Sequence, residues 1–165
     1  MKSSRIQDLL DFTGRRKTPV ILQTEAAECG VACLAMVASY FGFKTDLATM
    51  RRRFSVSIKG ATLAHLITFA GDLKLTSRAL RLEPEEMSQL KLPAILHWEL
   101  SHFVVLTEVK SSGIVIHDPA RGLRECNWAE VGNAFTGIAL ELRPAEGFEK
   151  KDERREIRVF SLLGK

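Results

Sequence analysis

Gln23-Thr-Glu-Ala-Ala-Glu-Cys29-Gly30-Val-Ala-Cys33-Leu-Ala-Met36-Val-Ala-Ser-Tyr40 decides how the rest of the chain is read. From Cys29 onward it is rich in Ala, Leu, Met and Val, has no Pro, and carries its only Gly in the first turn. That composition predicts a buried helix over Cys29–Tyr40, ending near Phe41-Gly42 where Gly takes the left-handed cap. Val20–Gln23 before it reads as a short extended lead-in. Working outward, Asp46 caps a second helix over Leu47–Phe54. Thr62 caps a third over Leu63–Leu73, with Leu63, Leu66, Ile67 and Ala70 spaced for one apolar face. Toward the N-terminus, Ile6–Phe12 forms an amphipathic turn of helix, broken by Thr18-Pro19.

After Leu75 the period changes. Thr76–Leu82 alternates as a strand does, and Pro84–Leu90 is a helical turn with acidic residues at its start, where the dipole favours them. Ala94–Trp98, His102–Val109 and Gly113–Asp118 follow as strands, the last two joined by a Lys110-Ser-Ser-Gly113 turn. Asn127 starts a short helix through Phe135, and Ile138–Arg143 makes a final strand. Helices first and antiparallel strands afterwards imply an α+β domain with segregated layers. Beyond Pro144, Glu146–Arg158 is dense in both charge signs and reads as a linker or solvated helix. Phe160–Leu163 then turns apolar.

A chain of 165 residues builds one domain with a real core. Its 45% hydrophobic and 27% charged content excludes disordered and fibrous classes. The longest apolar runs, Val31–Val37 and Phe103–Thr107, fall far short of a membrane span, and Met1–Leu10 lacks the core of a secretory signal. The net charge of +4 is spread out. Arg15-Arg16-Lys17 and Arg51-Arg52-Arg53 are the tight basic clusters, and both read as solvated faces. Neither has interleaved aromatics or zinc-finger spacing, which argues against a nucleic-acid partner. Three cysteines is an odd count, so free thiols in a reducing compartment are expected. Cys29 and Cys33 share a helix face, but no second pair or suitably spaced histidine joins them, so no metal site is expected.

The chemistry concentrates around Cys29. A free thiol is only a few per cent thiolate at neutral pH, but unpaired N–H groups and the dipole at a helix start favour an anion. Gly30 lets a substrate backbone come close. Cys33, one turn deeper, fits a small buried hydrophobe, and Cys126 shows no sign of a special role. Among four histidines, His65 lies in a helix, and His97 and His117 lie inside strands. His102 stands where a loop enters a strand, at the rim of the sheet, where functional groups gather. Asp118 ends the next strand, so a tight hairpin would bring it beside His102 as an orienting carboxylate. Asp118 could also merely start the Asp-Pro turn. Gln23 can donate its side-chain amide to an oxyanion. Glu25 and Glu28 would oppose a nearby thiolate and are expected to face solvent.

Three ordered motifs now coincide. Pro19–Met36 resembles the Cys motif of the C39 family, the double-glycine peptidase domains at the N-termini of bacteriocin and peptide exporters. His97-Trp98 through Ser101-His102-Phe-Val-Val resembles its His motif, and His117-Asp118-Pro119-Ala-Arg-Gly122 its Asp motif. The similarity runs over Pro19–Pro144 and is strongest to the colicin V (microcin V) exporter type. It implies a papain-like fold and removal of a leader peptide after a Gly-Gly pair. By motif position Cys29 would be the nucleophile, His102 the general base and acid, Asp118 its partner, and Gln23 the oxyanion donor.

The same resemblance divides the chain into an N-terminal extension (1–18), a peptidase domain (19–144) and a charged linker (145–165) toward transmembrane helices. It implies partners in a precursor peptide with a double-glycine leader and in the membrane and ATP-binding domains of an exporter, at the cytoplasmic face of the membrane. ATP and Mg²⁺ would belong to the ATP-binding domain; the peptidase would need no cofactor. An amphipathic leader helix would dock its apolar face in a shallow groove, for which Phe54, Val56, Ile58, Leu66 and Phe69 are candidates, or else simply core. Two other readings stay open: a C39-like module that only docks substrate, and a thiol acyltransferase using the same groups.

Overall fold

The helix α1 (Cys29–Tyr40) has no polar face, and Cys29 through Ala38 are all buried. A helix apolar all round must be covered on every side. It is enclosed by a sheet and by helices α2 (Leu47–Arg53) and α3 (Leu63–Asp72). The computed structural model describes residues 16–154; the expected turn at Ile6–Phe12 and the apolar run Phe160–Leu163 lie outside them. Both shorter helices start at their expected caps. Asp46 Oδ1 accepts from the Thr49 N–H at 2.8 Å, and Thr62 Oγ1 accepts from the His65 N–H at 3.2 Å. His65 Nδ1 accepts the Thr62 N–H in return.

Strands β2 (Leu75–Arg81), β3 (Ala94–Trp98), β4 (His102–Lys110), β5 (Gly113–Asp118), β6 (Gly122–Asn127) and β7 (Phe135–Pro144) form one antiparallel sheet, ordered β2-β7-β3-β4-β5-β6. Ile95, Phe103, Val105 and Leu140 face α1. Their neighbours Leu96, Val104, Leu106 and Ala139 face a second core, closed by Met87 of a 3₁₀ turn (Pro84–Gln89) and Val131 of helix α4 (Trp128–Ala134). The α+β layering expected from the sequence is therefore present, with the far face of the sheet also covered.

Some features depart from the expectation. β6 alternates Gly, Leu, Arg, Glu, Cys and Asn at a sheet edge, a pattern too polar to read as a strand. β7 begins directly where α4 ends, three residues before the expected Ile138. The segment read as linker or helix folds back instead. Strand β8 (Lys151–Asp152) pairs in parallel with β1 (Phe43–Lys44), and Phe148 lies 6.5 Å from Phe43, ring to ring. The Val20–Gln23 lead-in pairs with no strand but is held by a 2.8 Å bond from the Gln23 N–H to the Pro119 carbonyl.

The β4–β5 register shifts by one residue. Glu108 pairs with Val115, whereas the next pair is Leu106 with Ile116, so Thr107 is an unpaired extra residue. Its hydroxyl donates to the Val115 carbonyl at 3.3 Å and closes the bulge. At the other end of the hairpin, Gly113 has φ +156°, and a Cβ there would sit 1.9 Å from the Cys126 carbonyl oxygen. That obstacle is backbone and cannot swing aside. Gly113→Ala should therefore cost about 3 kcal/mol, read as a lower urea midpoint with β6 amides losing hydrogen-exchange protection first.

Candidate active site

Two layers each supply half of a polar cluster. Cys29 sits on the first turn of α1, 5% exposed. Gly30 beside it packs closely, because a Cβ there would lie 2.9 Å from a Leu66 methyl and 3.4 Å from the Phe103 ring, so Leu66 would have to shift. His102 opens β4, and Asp118 closes β5. His102 Nε2 is 2.7 Å from Asp118 Oδ1, and the imidazole is close enough to the Cys29 sulfur for the two to interact electrostatically. His102 thus bridges thiol and carboxylate.

The His102–Asp118 contact is diagonal, not directly across the strands. Extending the register by one step places Asp118 opposite Val104, two residues from His102 on the same face. Diagonal neighbours of this kind lie within reach of long side chains.

Asp118 is almost fully buried. Burial alone would raise its pKa, yet the net shift is downward, because the carboxylate accepts three hydrogen bonds. They come from His102, from the Ala120 N–H at 2.8 Å and from Arg124 Nη1 at 3.2 Å. For His102 burial opposes the charged form. The hydrogen bond to Asp118 first, and then the interaction with the Cys29 sulfur, outweigh it and lift the pKa from 6.5 to about 9. An imidazolium at neutral pH follows from that balance.

Arg124 was not singled out in the sequence because β6 was not recognised. On that strand it faces the Asp118 carboxylate and fixes its second oxygen. A second correction concerns Glu28, which was expected to face solvent. It is buried and accepts from the Thr24 N–H and hydroxyl, from the Glu25 N–H and from Arg51 Nε at 2.7 Å. Burial raises its pKa, but these donors more than offset that, and the net shift is downward. The Thr24 donors, with the guanidinium of Arg51, read as part of a solvated cluster, make a carboxylate tolerable one residue before Cys29. Glu25 is exposed, as expected.

Gln23 lies just beyond this knot. Its N–H is bonded to Pro119, next to Asp118, and its side-chain oxygen is buried with no partner among the described residues. The other histidines are used elsewhere. His117 is buried and donates from Nδ1 to the Pro19 carbonyl at 3.1 Å, so it ties the lead-in to β5. His97 Nδ1 meets the Thr136 hydroxyl at 2.9 Å. Cys33 is completely buried, and burial first, then the charges of Cys29 and Asp118, push its pKa well up.

The five groove candidates divide by exposure. Phe54 and Leu66 are buried in the α1 core, Val56 and Phe69 are partly buried against it, and Ile58 is 97% exposed. Phe54 and Phe69 stack at 4.5 Å. No group of three or more His, Cys, Asp or Glu side chains among the described residues could hold a metal ion. No helix among them is long and apolar enough to cross a membrane.

Known proteins share this arrangement of elements. A domain of a double-glycine motif protease from an AMS/PCAT transporter, solved in complex with the leader peptide, superposes with a TM-score of 0.74 at 38% identity, covering 79% of this chain and 94% of that one. The peptidase domain of Streptococcus ComA, a bifunctional ABC transporter, shares the fold with a TM-score of 0.71 at 23% identity. The fold is thus the papain-like α+β fold expected. In sequence, the chain is 48% identical over 159 residues to the colicin V secretion/processing ATP-binding protein of Escherichia coli, and equally to its probable microcin-H47 counterpart. Those matches cover 96% of this chain but 23% of each relative. The model of the peptidase C39 family matches residues 17–147, and with these relatives it shows that the chain belongs to the peptidase C39 family.

Proposed function

We propose that this chain is a cysteine endopeptidase that removes the leader of a bacteriocin-type precursor by cutting after a Gly-Gly pair. Its setting would be an ABC exporter, with residues 19–144 as the peptidase and 145–165 leading toward membrane helices. The observation that carries the reading is the imidazole of His102, held between the buried carboxylate of Asp118 and the thiol of Cys29. The relatives named for secretion and processing, and the double-glycine protease bound to its leader, support the choice of substrate.

In this mechanism the proton of Cys29 already rests on His102, and the sulfur attacks the carbonyl carbon of the second glycine. A carbon–sulfur bond forms, and the carbonyl electron pair moves onto oxygen, which the Gln23 amide stabilises. His102 then passes the proton to the leaving amine as the carbon–nitrogen bond breaks. Water, deprotonated by the same imidazole, hydrolyses the thioester and returns the thiol. Asp118 keeps the ring in one tautomer and stabilises its charge, while Arg124 keeps Asp118 ionised. No resident cofactor enters; ATP and Mg²⁺ would act in the ATP-binding domain of the exporter. The leader helix would contact Ile58, Val56 and Phe69, over a floor shaped by Phe54 and Leu66. The domain would work at the cytoplasmic face of the membrane.

Mass spectrometry of a synthetic double-glycine leader peptide, incubated with this protein or with Cys29→Ala, tests the reading directly. Cleavage after the second glycine by the wild type alone is expected. A leader that binds but stays intact with both proteins would instead mean a docking module. Gln23→Ala should lower kcat by about 10²–10³-fold with little change in KM, the signature of a contact made in the transition state.

The pH profile has a fixed sign. The imidazolium must donate to the leaving amine, so kcat/KM should fall as pH rises through about 9, where His102 loses its proton. Asp118→Asn removes the main support for that charge. Its alkaline limb should move down toward the ordinary 6.5, and kcat should drop by about 10⁴-fold. An unmoved limb would show that Asp118 does not set the basicity of His102.

A further inference from the structure

The loop between β3 and β4 holds a strained turn beside His102. Trp98 pairs with His102, leaving Glu99, Leu100 and Ser101 to reverse the chain. Glu99 has φ 47° and Leu100 φ 68°, and the only other non-glycine residue with positive φ among those described is Lys74. The Ser101 N–H donates back to the Glu99 carbonyl at 2.8 Å, which makes Leu100 the centre of a three-residue turn of the rare, strained hand. Glycine or asparagine would relieve this conformation; glutamate and leucine do not.

The surroundings enforce the turn. The Glu99 N–H donates to the Ala134 carbonyl at 2.8 Å. The His97 imidazole, itself anchored on the Thr136 hydroxyl at 2.9 Å, lies beside the Leu100 backbone. Strain of this kind persists only where neighbours over-determine it, and it concentrates at functional sites. At the apex Leu100 is 86% exposed, an apolar side chain offered to solvent.

Proton transfer decides what passes this apex. The imidazole must deliver its proton to the leaving amine, so the part of the substrate that follows the scissile bond departs on the His102 side of Cys29. The acyl part stays on the Gln23 side. The turn immediately preceding His102 therefore borders the departing segment. The geometry points to the Glu99-Leu100-Ser101 turn as the contact for substrate residues just after the cleavage site, with Leu100 favouring an apolar residue there. This assignment rests on the peptidase reading above and adds a determinant on the cargo side of the cut.

The test uses two peptides with one double-glycine leader, followed by Leu-Leu in one and Ser-Ser in the other. They are cleaved by the wild type, by Leu100→Asn, and by the double variant Glu99→Asn/Leu100→Gly. The wild type should prefer the Leu-Leu peptide by about tenfold in kcat/KM, and both variants should lose that preference. The double variant should also melt about 2–4 °C higher, since its residues suit the turn. A preference that survives in both variants, or a melting point that does not rise, overturns the assignment. So does an equal loss on both peptides, because the turn would then act only by placing His102. If the wild type cuts both peptides without preference, the peptidase reading stands and this inference falls. If it cuts neither, both fall.

Discussion

One extra residue in one strand decides whether His102 and Asp118 share a face of the sheet. Side chains alternate across a sheet, so a one-residue slip in pairing exchanges the two faces. With the pairing that holds from Lys110 to Glu108, Asp118 would fall opposite Val105 and share a face with Phe103, away from His102. Thr107 takes up one residue without a partner, and beyond it Asp118 falls opposite Val104, on the face of His102. The Thr107 hydroxyl satisfies the Val115 carbonyl within the bulge. The shift also keeps Phe103 and Val105 under α1 and leaves Val104 and Leu106 in the second core. Core packing and the polar contact are therefore solved by the same local irregularity.

Buried charge is handled the same way on both sides of the cluster. Asp118 and Glu28 are each shielded from water, and each would be forced toward its neutral form if left alone. Each is met instead by an arginine from another element, Arg124 on β6 and Arg51 on α2, and by backbone N–H groups close in sequence. The two carboxylates differ in their remaining partner. Asp118 spends an oxygen on His102 and so acts on the imidazole. Glu28 spends its own on Thr24 and so fixes the loop that carries Gln23 into α1. Removing either arginine would leave a buried anion short of a partner, a change felt first in the geometry of the site.

What could be read in the sequence follows from where the information is local. The bounds of α1 follow from its composition, and Asp46, Thr62 and Asn127 cap helices because a cap needs only a side chain and an N–H three residues on. The His102 and Asp118 strands were legible as apolar runs. The pairing that counts was not, since Thr107 is an ordinary strand residue and its bulge exists only in the register with β5. Arg124 and Glu28 escaped for a related reason. Arg124 sits on an edge strand with polar alternation, and Glu28 becomes acceptable in the interior through donors that include Arg51 from another helix. The return of β8 to β1 was equally hidden, because two charged residues carry no strand pattern.

Cys29 and His102 stand on different layers, and something must keep the two layers in register. The packing of α1 on Phe103 and Val105 is broad but non-directional, and apolar contact alone tolerates small slides. The directional ties come from the segment before α1. Pro19 offers its carbonyl to His117, and the Gln23 N–H donates to Pro119. His117 and Pro119 flank Asp118 on either side. The lead-in is thus stitched to β5 around the residue that orients His102, and it runs on through the Glu28 knot into Cys29. Carboxylate and imidazole are joined by a hydrogen bond, and the lead-in ties Asp118 through hydrogen bonds and chain to Cys29, which adds direction to a packed interface. A lead-in without strand pairing of its own suits this task, because its backbone groups remain free to bond across the layers.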